Sequence, residues 1–299
     1  MRIDAHHRLW TLARGDYGWL TPALTPIYRD FQFSDLAPHL AAAGIAGTIL
    51  VQAAPTEAET MFLLDVAESV EAVRGVVGWA DFDAADGAAR IDALAARSLL
   101  VGLRPMVQDT ADADWLLGPA LAPLLIAMAR NHLIFDALVL PRHLPRLSRV
   151  VSRHSDLTFV LDHCAKPRLA TGEIAAWQRD IALLAQHPNI VCKLSGLVTE
   201  AAPDWRVGDL RQAADHVVTC FGPQRLLWGS DWPVVDLAGG YATWFAAAES
   251  LLADLSLNEK AAVFGGNAAR IYLSHRGRRP RSDDKCLYFP APVVRPLTI

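Results

Sequence analysis

Short runs rich in Val, Ile and Leu recur along the chain, and each is followed by an alanine-rich stretch whose apolar residues return every three or four positions. The runs are too short for helices and too uniformly apolar for strands with one wet face, so they read as strands buried on both sides. Eight can be drawn: Arg2–His6, Gly47–Ala53, Gly75–Asp81, Leu100–Gln108, Leu133–Leu140, Thr158–Cys164, Ile190–Leu197 and Arg225–Asp231. Strands alternating with helices predict a parallel sheet, and eight such units close a barrel. The expected fold is α/β, a single-domain (β/α)8 barrel of the TIM type. Helices are expected near 34–43, 57–72, 111–131, 145–154, 173–186, 213–221, 241–252 and 258–272. Ser34 caps the first and Gly44 closes it.

Almost every run ends in polar residues: His6 and Arg8, Gln52, Asp81, Arg104 and Gln108, Asp136, His163 and Lys166, Lys193 and Ser195, Ser230 and Asp231. Barrel enzymes assemble their sites from the C-terminal ends of several strands, so these residues are expected around one mouth. The last run is the most telling. A strand buried on both faces gains nothing from ending in the carboxylate of Asp231, just before Trp232 and Pro233. His6 and Arg8 stand two apart and share a face, while His7 points into the barrel wall.

Residues 11–34 form a long connection holding Tyr17, Trp19, Tyr28 and Phe31 among Gly and Pro, the composition of a packed flap beside the mouth. The barrel is expected over residues 1–273 and an irregular C-terminal tail over 274–299, where arginines and prolines replace any strand or helix period.

Composition narrows the function classes. Apolar residues make up 52% and charged residues 20% of 299, material for one large core. A net charge of −4 argues against nucleic acid and membrane surfaces as partners, since both need a clustered basic face, and leaves a small molecule. Cys164, Cys192, Cys220 and Cys286 show no CxxC pairing, and Met1-Arg2-Ile3-Asp4 already reads as a strand with no signal peptide before it. A reduced, cytoplasmic protein is the expectation, with oligomeric state left open.

Five motifs occur in order at barrel spacing: Asp4-Ala5-His6-His7-Arg8-Leu9-Trp10, Gly102-Leu103-Arg104-Pro105, Leu161-Asp162-His163-Cys164-Ala165-Lys166-Pro167, Cys192-Lys193-Leu194-Ser195-Gly196-Leu197 and Trp228-Gly229-Ser230-Asp231-Trp232-Pro233. Together they resemble the lactonases of the amidohydrolase superfamily, of the L-fuconolactonase and L-rhamnonolactonase type. The dicarboxylate-pyrone and sulfomuconolactone hydrolases stand further off. The resemblance implies a hydrolase that opens the intramolecular ester of a sugar-acid lactone. It makes Asp231, His163 and His6 the catalytic residues, with Asp231 taking the proton of the attacking water. Arg8, Arg104, Trp10, Asp136 and Trp232 are expected to bind substrate, and Trp19 is a further stacking surface.

Two departures from the family pattern matter. The usual first-strand pair is His-x-His, able to hold a divalent metal with His163 and Asp231, yet here the second histidine is replaced by Arg8. Arginine has no lone pair, and a guanidinium about 5 Å from a dication is repelled by about 6–7 kcal/mol at an effective dielectric of about 20. The expectation is therefore that no cofactor is required; a zinc ion, if bound at all, would use His6, His163 and Asp231. Pro105 also stands where many relatives have histidine, so substrate identity does not carry across. The rivals are a metal-dependent non-oxidative decarboxylase on the same scaffold and a non-catalytic sugar-acid binding protein.

Overall fold

The computed structural model describes residues 1–274; most of the sequence-predicted tail, residues 275–299, lies outside them. Eight parallel strands pair in sequence order, β1 (Arg2–His7), β2 (Ile45–Val51), β3 (Val73–Gly78), β4 (Leu100–Leu103), β5 (Ile134–Ala137), β6 (Phe159–Leu161), β7 (Ile190–Leu194) and β8 (Leu226–Trp228). An isolated parallel bridge between His7 and Trp232 brings the last strand's continuation back to the first. The result is a nearly closed (β/α)8 barrel. The helices are α1 (Phe33–Ala43), α2 (Glu57–Ser69), α3 (Gly87–Ala95), α4 (Leu121–Arg130), α5 (Leu144–Arg153), α6 (Ala175–Leu184), α7 (Val207–Phe221), α8 (Tyr241–Leu251) and α9 (Leu257–Ala261).

Each run predicted from the sequence overlaps a strand, with β2 and β3 starting two residues before their runs, and most strands stop short of the run's polar end. Residues past the last ladder bond therefore sit in loops at the mouth, where side chains converge more freely than along a pleat. The expected helix over 111–131 shrinks to α4, with a short 3₁₀ turn at Trp115–Leu117 before it. Helix α3 was not expected at all. Gly87 and a run of alanines hide its stripe, yet Ile91, Leu94 and Ala95 fall at helical spacing and are buried.

Two cores result. One lies between the strands and the helices, and the other fills the barrel: Ile3, Ala5, Ile49, Val51, Val77, Val101, Ile134, Val160, Val191 and Leu227 point inward. The segment after α9 winds through wider, π-type turns at Ala262–Gly266 and Ala269–Leu273 and packs Ala268, Ile271 and Tyr272 against that interior. This closes the end of the barrel opposite the mouth. No helix among the described residues is long and apolar enough to cross a membrane.

Candidate active site

The loop after β6 turns sharply. His163, Cys164, Ala165 and Lys166 all have φ between 51° and 58°, and Asp231 after β8 has φ 59°. Left-handed backbone costs a non-glycine residue roughly 1–2 kcal/mol, and such conformations persist where surrounding structure enforces them, typically at functional sites. Two glycines make room for the histidines. A Cβ on Gly196 would stand 2.7 Å from the His163 ring, and one on Gly229 2.7 Å from the Cβ of His6.

These turns bring His6, His163 and Asp231 together, with one ligand-type atom from each lying within 4.8 Å of the others. The His6 Nε2 is 3.7 Å from Asp231 Oδ1, and His163 Nε2 is 3.8 Å from the same oxygen. Arg8 enters the middle of this group. One terminal nitrogen donates to Asp231 Oδ1 at 2.6 Å and the other reaches His163 Nε2 at 3.4 Å. The spacing of the three side chains and the unpartnered, buried His6 Nε2 suit a cation. However, the guanidinium already holds two of the three donor atoms, so the residues present do not fit a tightly bound metal ion.

Beneath them lies a buried ionic layer. The Lys193 ammonium faces Asp136 Oδ2 at 2.5 Å, Asp162 Oδ1 at 3.0 Å and His6 Nδ1 at 3.3 Å. Asp162 Oδ2 accepts from Arg104 at 3.2 Å, and Arg104 also donates to Gln52. Tyr272, rising from the closed end, donates to Asp136 at 2.8 Å. Burial pushes the Asp231 carboxyl above its ordinary value, opposed first by Arg8. Burial would also raise Asp162, but Lys193, His6 and Arg104 together hold it well below the usual carboxylate range. Both histidines lie well below theirs, chiefly because burial disfavours the imidazolium, so they are neutral near pH 7.

A cavity of about 240 Å³ opens above this floor, bordered by Arg8, Arg104, His163, Lys166 and Asp231, with Trp19, Met106, Gln108, Leu138 and Thr199 among the other walls. A larger groove of about 620 Å³ beside Trp205 and Thr243 contains none of these groups, so chemistry and not volume selects the former.

Three residues expected to bind substrate do not border the cavity. Asp136 is fully buried, with both oxygens committed to Lys193 and Tyr272. Trp10 is buried, donates to the Arg29 carbonyl at 2.7 Å and packs edge-on against Trp19 and Phe31. Trp232 packs edge-on against Phe31. These two tryptophans hold the flap in place, and Trp19 is the aromatic that reaches the cavity. His6 is likewise buried below the wall, while Arg8 and Arg104 border the cavity as expected. His7 meets Thr48 of the neighbouring strand at 2.9 Å, as a wall histidine.

Nothing in the local sequence marks Glu59 or Tyr272 for the site, and Ser195 is marked only by its place at a strand end. Ser195 Oγ lies 2.9 Å from His163 Nδ1 and fixes that ring. Glu59, on α2, accepts from the backbone nitrogens of Ala53 and Ala54 at 3.0 and 2.6 Å, and burial raises its carboxyl to about 7. The Ala53 carbonyl in turn receives the Trp19 indole N–H at 2.8 Å, so Glu59 anchors the cavity's aromatic wall through one loop. A glutamate on an amphipathic helix looks like a surface residue; no local signal marks it as a loop clamp.

A family model described as amidohydrolase matches residues 3–273. The chain is 45% identical over 286 residues to an L-fucono-1,5-lactonase of Burkholderia ambifaria, covering 94% of this chain and 98% of that one. It is 38% identical to an L-fucono-1,5-lactonase of Burkholderia multivorans, covering 91% and 96%. Among solved structures, a Burkholderia multivorans amidohydrolase crystallised with HEPES superposes with a TM-score of 0.86 at 36% identity, covering 91% of this chain and 99% of that one. A second crystal form of the same target, with zinc, gives 0.85 at the same identity and the same coverage. With its barrel, its strand-end residues and a match over nearly all of the described chain in agreement, this protein belongs to the amidohydrolase family.

Proposed function

We infer that this protein is a hydrolase that opens the intramolecular ester of a sugar-acid lactone. The observation that carries the reading is the placement of Asp231. It is a carboxylate at the floor of a cavity sized for one small molecule, beside a guanidinium and two neutral histidines, in a chain 45% identical to a lactonase. Asp231 takes a proton from water, and the oxygen so activated attacks the lactone carbonyl. Charge builds on the carbonyl oxygen, where Arg8 is the cation at hand. Collapse of the tetrahedral intermediate breaks the ring C–O bond and frees a hydroxy acid.

On this reading Arg8 supplies the charge that a metal would bring, and no metal is required. Arg104 shapes the wall and contributes charge, since Asp162 and Gln52 already hold its terminal nitrogens. The small-molecule partner is a neutral lactone, and the free, buried thiols of Cys164 and Cys192 favour a cytoplasmic setting. The decarboxylase alternative needs the cation site that Arg8 fills. A purely binding protein would have no use for a buried base held in left-handed backbone.

The test is proton release in weak buffer with a panel of five- and six-membered aldonolactones, corrected for spontaneous opening. The wild type should turn over at least one of them, and Asp231→Asn should lower kcat by about 10²–10⁴-fold. A wild type no faster than spontaneous opening across the panel would refute the lactonase reading.

A further inference from the structure

Ring opening leaves an alkoxide that must acquire a proton, and besides Asp231, which holds the proton it took from water, the groups around the cavity differ sharply in their capacity to give one. Arg8 and Arg104 are guanidinium groups, which do not deprotonate in proteins. His163 is oriented the wrong way. Arg8 can only donate, so its 3.4 Å contact makes His163 Nε2 an acceptor and sends the ring proton to Nδ1, toward Ser195 Oγ at 2.9 Å. His6 is buried below the wall, and Lys193 is fully engaged by Asp136, Asp162 and His6.

Lys166 is different. It ends the left-handed turn that begins at His163, its backbone nitrogen donates to the His163 carbonyl at 2.8 Å, and it borders the same cavity. Its side chain is 25% exposed, and the carboxylate facing it, Glu200, stands at 3.8 Å, too far to consume the ammonium as Asp136 consumes that of Lys193. The turn that sets His163 on the cavity wall thus also sets Lys166 there.

Resting on the lactone-hydrolase reading, we infer that Lys166 is the general acid, giving the departing ring oxygen its proton. As the ring C–O bond breaks, its electron pair goes to the ring oxygen and one Nζ proton moves to that oxygen, leaving a neutral amine. The amine regains a proton from solvent at the mouth beside Glu200, and Asp231 releases to solvent the proton it took from water. The sum is one water added to one ester.

The experiment uses the full chain and a six-membered aldonolactone that the wild type opens, with Lys166→Met, Lys166→Arg and Lys166→Ala. Unfolding temperatures within a few degrees of wild type establish that each variant is folded. Lys166→Met should lose about 10²–10³-fold in kcat with KM nearly unchanged. Lys166→Arg keeps the charge but cannot release a proton, so it should stay as slow. Added methylamine should restore part of the Lys166→Ala rate in a saturable way. An unchanged kcat in Lys166→Met, a loss confined to KM, or full activity in Lys166→Arg would each overturn the assignment while leaving a lactonase standing. A wild type idle on every lactone would instead remove the functional reading beneath it.

Discussion

The two ends of the barrel interior are both dry, and they are built from opposite materials. At the closed end Ile3, Ile49, Val77, Val101 and Leu227 meet Ile271 of the C-terminal segment, and burial itself stabilises them. At the mouth end, one layer higher, Asp136, Asp162, Lys193, Arg104 and His6 are equally buried. There each charge is tolerable only because another faces it, and such a layer is no more stabilising than a hydrophobic one would be. The fold thus stakes its stability on the closed end and holds its reactive groups at the other. The link between them is Tyr272, which packs in the lower core and hydrogen-bonds the upper layer through Asp136.

The sharpest way to break the contrast is Lys193→Met. It leaves Asp136 and Asp162 facing each other without their shared cation, so unfolding should become easier by about 3–5 kcal/mol, with loss of activity as His6 and Arg104 shift. Denaturant titration checks the first effect and kcat the second. If stability held, the ionic layer would be ornamental to the fold.

Next in size, Ile49→Ala at the closed end should cost about 2–5 kcal/mol as a core cavity. Its kcat under folded conditions should stay close to wild type, since Ile49 belongs to the apolar cluster of the barrel interior; a large fall would show that the two ends are not separable. The smallest effect is in the pH profile. Burial raises Asp231, and the base works only when ionised, so activity should fall as pH drops through that raised value. The acid limb of kcat/KM should therefore lie above the ordinary aspartate range. Replacing Arg8 by Met removes the largest influence lowering that value and should move the limb higher still. A limb that did not move would take Arg8 out of contact with the base.

Much of the barrel was legible because its signal is periodic and repeated. All eight strands lie where apolar runs predict them, and Asp231, His163, Arg8 and Arg104 reach the cavity from strand ends. What failed did so for physical reasons. Helix α3 carries too few large apolar residues to show its stripe. Asp136 faces inward, as alternation requires, but the pattern does not give depth, and it lies one layer too low to meet a ligand. Trp10 and Trp232 look like sugar platforms by residue type alone, whereas the flap needs them as its own core.

By itself the sequence determined the architecture and the cast of reactive residues, because apolar periodicity fixes which elements form and polar strand ends fix what gathers at the mouth. Tertiary structure decided the pairings. That Arg8 pairs with Asp231, that Lys193 is held by Asp136 and Asp162 while Lys166 faces Glu200 at 3.8 Å, and that Glu59 reaches under the flap all depend on distances between side chains far apart in the chain. Electrostatic roles follow those distances and the burial around them, and neither quantity is written in local pattern.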